Sequence, residues 1–141
     1  MFLHAVFTFL LTGLIWVIQL VHYPLFRFLD STSFSKAMLF HQRQISIIVM
    51  PLMLAELITG IYLAISQWQA FTSFHIINLS LIAIIWARTF FIMVPFHRSF
   101  ETSFDEMQLK KMLRVHWLRT LAWTIKSILW AATIWHILSI Y

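Results

Sequence analysis

The sequence predicts an all-α polytopic membrane protein: one domain over residues 1–141, built as a four-transmembrane-helix bundle with a short cytoplasmic amphipathic helix before helix 4. Three observations predict it. Hydrophobic residues make up 61% of the chain and charged residues only 11%, where a soluble domain carries roughly 45–50% and about 25%. The apolar residues gather into four runs, and mean hydropathy is +0.84. The basic residues gather in two of the three connections between those runs. Together these exclude a soluble monomer and a disordered tail. The net charge of +5 is placed as a topology signal, so no nucleic-acid partner is expected.

The four runs cover about residues 2–21, 45–65, 76–96 and 117–140. Each holds roughly 20 residues, which at about 1.5 Å per residue crosses a hydrocarbon core of about 30 Å. The first lacks the basic n-region and small-residue cleavage site of a signal peptide and is longer than an h-region, so it reads as a helix. Pro24 is expected to end it. Pro51 lies inside the second run and is expected to kink it, and Pro95 sits near the end of the third. Trp68, Trp117 and Trp135 fall near span ends and fit an interfacial aromatic belt. Trp86, Trp123 and Trp130 lie deeper, as packing residues or as the wall of a flat ligand site.

The first connection carries Arg27, Lys36 and Arg43, and the third carries Arg98, Lys110, Lys111 and Arg114, with Arg119 just inside the fourth run. The connection over 66–75 has no charge. The positive-inside rule then places both basic connections in the cytoplasm and both termini outside. The third connection also holds Glu101, Asp105 and Glu106 and reads as the amphipathic helix on the membrane surface. The absence of cysteine excludes disulfides, iron–sulfur sites, Cys-ligated zinc and redox dithiols. The two glycines, Gly13 and Gly60, exclude phosphate-cradling loops and GxxxG packing.

Three ionisable residues lie within spans: Glu56, Arg88 and Lys126. Counted from the cytoplasmic ends of their runs they sit at roughly 12–17 Å depth. A charge there costs about 2.5–3.5 kcal/mol on the insertion scale, so the three are expected to face one another as a catalytic or ion-pairing level. One acid against two bases leaves one cation unpaired: either Lys126 is neutral through desolvation, or a propionate, a phosphate, a quinone-like oxygen or water completes the site. Arg119 and Lys126 share a helix face with Trp123 and Trp130 nearby, and Thr12 and Gln19 share one on the first helix.

The seven histidines sort into two layers. His22, His41, His97 and His116 fall at the cytoplasmic ends of the four helices, and His4, His75 and His136 near the outer ends. Opposed imidazoles across a bundle suit a b-type heme, non-heme iron or copper. No HxxxH or HxxE spacing occurs, so any such site is assembled between helices. The first layer is the candidate metal set.

Residues 4–24 (HAVFTFLLTGLIWVIQLVHYP), 41–60 (HQRQISIIVMPLMLAELITG), 74–90 (FHIINLSLIAIIWARTF) and 113–120 (LRVHWLRT) resemble the four helices of HemJ-type protoporphyrinogen oxidases and, more distantly, CopD-like copper-resistance membrane proteins. The resemblance implies a four-helix inner-membrane protein that binds heme b and oxidises protoporphyrinogen IX, with His4 and His75 at the positions of the family's helix-1 and helix-3 histidines. The family's helix-3 Lys falls at Ile77 or Asn78, and this chain has none there. A Glu near the start of helix 2 is replaced by His41.

The expected function is therefore a small membrane redox or cofactor-binding protein, an oxidoreductase if it is an enzyme. His4, His75, Arg119 and Trp123 would hold the cofactor, with Arg88, Arg119 or Lys126 on its anionic groups. The alternatives are an accessory subunit of a larger membrane complex and a small proton-coupled carrier that works through Glu56 and oligomerises. The expected surroundings are the lipid bilayer and either a second copy or a larger complex.

Overall fold

The computed structural model describes residues 1–67, 69, 72–102 and 104–140, apart from the side chains of 101 and 102. Trp68, assigned above to the aromatic belt, lies outside them, as does the side chain of Glu101. The described residues contain four long helices and no strand: α1 (Phe2–Phe28), α2 (Ser31–Ser66), α3 (Thr72–Phe100) and α4 (Glu106–Leu138). All four are long and apolar enough to cross a membrane, and the chain is a multi-pass membrane protein. Contacts such as Thr8 with Glu56 and Thr12 with Ser127 set the helices antiparallel. Both termini lie at one end of the bundle, and the basic residues of the first and third connections at the other. These are called the terminal end and the basic end below.

The bundle is inside-out in polarity. Ile47, Ile65, Phe91 and Ile128 are exposed, Phe91 by 80%, while Glu56, Lys126, Asn78 and four histidines, His4, His41, His75 and His116, are buried. An apolar exterior on this scale is the mark of a surface that meets lipid.

The helices are longer than the apolar runs. The 27 to 36 residues of the four helices give roughly 40–54 Å at 1.5 Å per residue, beyond a core of about 30 Å. The excess is at the basic end, where hydropathy drops but helix continues because a buried stripe continues. Phe34, Met38, Phe100, Leu109 and Met112 there are fully buried in one cluster with Tyr23 and Phe26. The amphipathic segment before α4 is Val94–Thr102, which continues α3 and packs on α2 rather than forming a separate surface helix. The helix starts at this end are capped by aspartates. Asp30 accepts from the backbone N–H groups of Thr32 (2.9 Å) and Ser33 (2.8 Å), and Asp105 from those of Met107 (2.8 Å) and Gln108 (3.1 Å), satisfying donors that a helix start leaves free.

Pro24 does not end α1, which corrects the expectation above. A π-helical turn, Ile18–His22, precedes it, and the Tyr23 N–H reaches the Ile18 carbonyl five residues back. The same device stands before Pro95: a π-turn at Thr89–Met93, with the Val94 N–H on the Thr89 carbonyl. The wider turn makes room for a ring that would clash in an α-helical register. Ser31–Ser66 stays helical through Pro51.

Candidate functional site

The polar residues inside the bundle form two layers separated by an apolar one. Leu11, Ile15, Met53, Ile85, Ala122 and Trp123 make up the separating layer. Small and polar residues recur at helical spacing down α1, at His4, Thr8, Thr12, Gln19 and Tyr23, and each bonds a neighbouring helix.

In the layer nearer the terminal end, Lys126 and Glu56 form a fully buried ion pair. Thr8 Oγ1 donates to Glu56 Oε1 at 3.2 Å. One turn further, His4 Nδ1 lies 2.8 Å from Thr59 Oγ1. The Thr59 hydroxyl proton already goes to the Ala55 carbonyl at 2.7 Å, so His4 Nδ1–H is the donor and Nε2 carries the lone pair. The His4 ring packs on Trp130 (centroids 4.8 Å), whose Nε1 donates to Asn78 Oδ1 at 3.0 Å. His75 is buried one turn before Asn78, edge-on to Phe74.

Arg88 is not in this layer. Its guanidinium donates to the Val115 carbonyl at 3.3 Å, towards the basic end. The expectation that Glu56, Arg88 and Lys126 form one level is therefore corrected. Because α2 begins at Ser31 and α4 at Glu106, well before their apolar runs, whereas α3 reaches only Phe100, hydropathy limits misplaced the helix ends from which depth was counted. Arg88 lies about 24 Å along α3 from its start, while Glu56 and Lys126 lie in the terminal-end half.

The second layer, nearer the basic end, brings the four histidines of the proposed metal set together around Tyr23. The Tyr23 ring contacts His116 (centroids 4.7 Å), His41 (5.6 Å) and His97 (6.1 Å), and its hydroxyl lies 3.1 Å from His97 Nε2. His22 packs on His41 at 4.3 Å, and His41 stacks on His97 at 5.8 Å with 19° between planes. His116 Nδ1 donates to Gln19 Oε1 at 2.6 Å. That bond leaves His116 Nε2 as an acceptor with no partner among the described residues.

Tyr23, His41, His97, His116, Arg119 and Trp123 line a cavity of about 210 Å³ whose remaining walls are mostly apolar. Arg119 is buried, and its Nε has no protein partner. The predicted cofactor set thus divides. Arg119 and Trp123 share this cavity with three of the four basic-end histidines, and His4 and His75 lie in the other layer. Among the described residues no group of three or more His, Asp or Glu is arranged to hold a metal ion. His22 packs on His41 with 30° between planes, and His41 stacks on His97 with 19°.

The heme implied by the resemblance was tested against these residues. Neither described cavity is lined by His4 or His75. A Cβ built on Gly60 would meet His4 Cε1 at 3.1 Å and Ile82 Cδ1 at 2.8 Å, so α1, α2 and α3 close tightly there. A cavity of about 150 Å³ accepts one benzene ring. The basic-end cavity, at about 210 Å³, has room for a substituted single ring and lies apart from His4 and His75. These two histidines, as arranged, do not frame a heme cleft. Sequence reasoning had given no role to Tyr23, Thr8, Thr59 or Gly60. The i, i+4 run of His4, Thr8 and Thr12 was the signal available for the polar seam.

No protein-family model matches the chain, no curated protein matches it, and no solved structure matches its fold.

Proposed function

We propose that this chain is a small cofactor-binding protein of the bacterial inner membrane, oriented with its basic end in the cytoplasm, and that its cavity holds the oxygen-bearing ring of a quinone-class redox molecule. The observation that carries this reading is the pairing of one acceptor and one donor in a mostly apolar chamber of single-ring size. His116 and Arg119 both line it; His116 Nε2 holds a lone pair and Arg119 Nε an N–H, each buried and without a partner among the described residues. A quinone carbonyl accepts from Arg119, and a quinol hydroxyl donates to His116, so both redox forms find a partner. The Tyr23–His97 hydrogen bond adds a second proton-bearing pair on the same wall. Apolar walls with few polar groups that fix orientation are the usual makeup of a small-molecule site. The basic connections support the cytoplasmic orientation.

The experiment is equilibrium binding of a short-chain benzoquinone to detergent-purified protein, read by Trp fluorescence. Saturable quenching that disappears in Trp123→Phe is expected. Arg119→Leu should weaken binding by about 10- to 100-fold, the loss of a charge-assisted hydrogen bond. Quenching that never saturates and ignores Arg119 would overturn the reading. A Soret band in the same preparation would replace it with the heme-binding one. Colourless protein that binds no ring and co-purifies with a fixed partner would replace it with the accessory-subunit one.

A further inference from the structure

We infer that the cavity takes its ligand sideways from the acyl-chain region of the bilayer, through a window between α2 and α3, and that the ligand therefore carries a hydrocarbon tail. The inference rests on the ring-binding reading above and adds the ligand's second half and its route.

The window is bounded at both ends. At the basic end Gln42 Nε2 donates to the His97 carbonyl at 3.0 Å and ties the two helices. Towards the terminal end Met53 and Ile85 close them again in the apolar layer. Between these ties the facing residues are Ser46 and Met50 on α2, in i+4 register with Gln42, and Phe90 and Val94 on α3, in register with His97. All four line the cavity, yet none is buried: Ser46 is exposed and Phe90 is 44% exposed. Side chains that line an internal chamber and also reach the outside mark an opening.

The backbone explains why the opening is there. α2 packs closely on Thr72–Arg88 and on Val94–Thr102, the segments on either side of the π-turn Thr89–Met93. The turn required before Pro95 falls at the level of the gap. Its flanks point to lipid rather than water. Ile47 and Ile48 on α2 and Phe91 on α3 are among the exposed apolar residues, at 68%, 52% and 80%. A ligand held through this window keeps its ring against Arg119 and His116 and leaves its tail among acyl chains.

The test compares a benzoquinone bearing a ten-carbon chain with its tailless parent, in wild type and in Ser46→Phe, which narrows the window opposite Phe90. The readout is the ratio of the two affinities compared between wild type and variant, a comparison in which partition of the tail into lipid cancels. The ratio should fall about tenfold in Ser46→Phe, the contact of roughly two buried methylenes. An equal ratio in both proteins overturns the window and leaves the ring reading standing. Failure of both probes to bind wild type saturably overturns both. A second measurement needs no bulky substitution. The chain has no cysteine, so a fluorophore on Ser46→Cys reports this site alone. Quenching by acyl-chain nitroxide lipids should exceed quenching by a water-soluble nitroxide and fall when the tailed probe is added, and the reverse order overturns the inference.

Discussion

Lys126 and Glu56 form a buried ion pair on facing helices, and Thr8 donates a hydrogen bond to the same Glu56 oxygen. Two of the charges inside the apolar runs are thereby neutralised against each other, and Arg88 donates elsewhere, to the Val115 carbonyl. The pair accounts for how a chain with so few charges keeps two of them in the interior of a membrane bundle.

Removing one partner should be far worse than removing both. Glu56→Leu or Lys126→Met alone leaves an uncompensated buried charge and should cost about 3–5 kcal/mol. The double variant restores an apolar interior and should come back to near wild-type stability or exceed it. Thermal unfolding of the four proteins in one detergent measures this as a double-mutant cycle. Additive losses would mean the two charges do not meet.

The two glycines should respond oppositely to alanine. At Gly60 the added methyl meets Ile82 and His4 at contact-breaking distance, and overpacking of this kind costs about 1–3 kcal/mol. At Gly13 nothing lies within 4 Å of the new carbon, and the gain in helix propensity of about 0.5–1 kcal/mol should show. The same unfolding assay separates them, and equal effects at the two sites would contradict the close approach at Gly60.

The number of helices and their polarity were legible in the sequence because both follow from local hydropathy. Their ends were not. Residues 31–44 and 106–116 carry too many charges to read as a span, yet Phe34, Met38, Leu109 and Met112 keep a buried stripe going. The stop signal at Pro24 is real in isolation and is bypassed by the π-turn before it, which no periodicity count reveals. The misplaced ends in turn put Arg88 beside Glu56 and Lys126. The gathering of His22, His41, His97 and His116 at one level was legible, since each lies at the same end of its helix. The packing of His22 on His41 and of His41 on His97 was not, because it depends on side-chain rotamers that spacing does not fix.

Asp30 gives an acid-side prediction. Hydrogen bonds from the Thr32 hydroxyl and from the Ser33 and Thr32 backbone hold its carboxyl well below the usual carboxylate range. A group whose folded pKa is depressed adds stability above its unfolded pKa, near 3.9, and loses it as pH falls through the folded value. Wild type should therefore lose stability below about pH 4 relative to Asp30→Asn, which keeps a neutral cap at α2. Parallel acid unfolding curves for the two proteins would show that this carboxylate contributes nothing to holding the helix start.

Gln19 is the residue on which the cavity chemistry turns. It sits in the π-turn of α1, and its Oε1 accepts from His116 Nδ1 at 2.6 Å and more weakly from Thr120 at 3.4 Å. The first bond fixes the His116 tautomer and leaves the Nε2 lone pair without a partner among the described residues; the second is too long to contribute much. Gln19→Leu strands a buried N–H and should cost about 1–3 kcal/mol of stability. It also frees His116 to carry its proton on Nε2, which turns the acceptor into a donor. Quinol binding should then weaken relative to quinone binding, a split that simple destabilisation does not produce. Thr120→Val, which removes only the long bond, should leave that ratio where it was. If Gln19→Leu weakens both redox forms equally, His116 is a packing residue and the acceptor lies elsewhere on the wall.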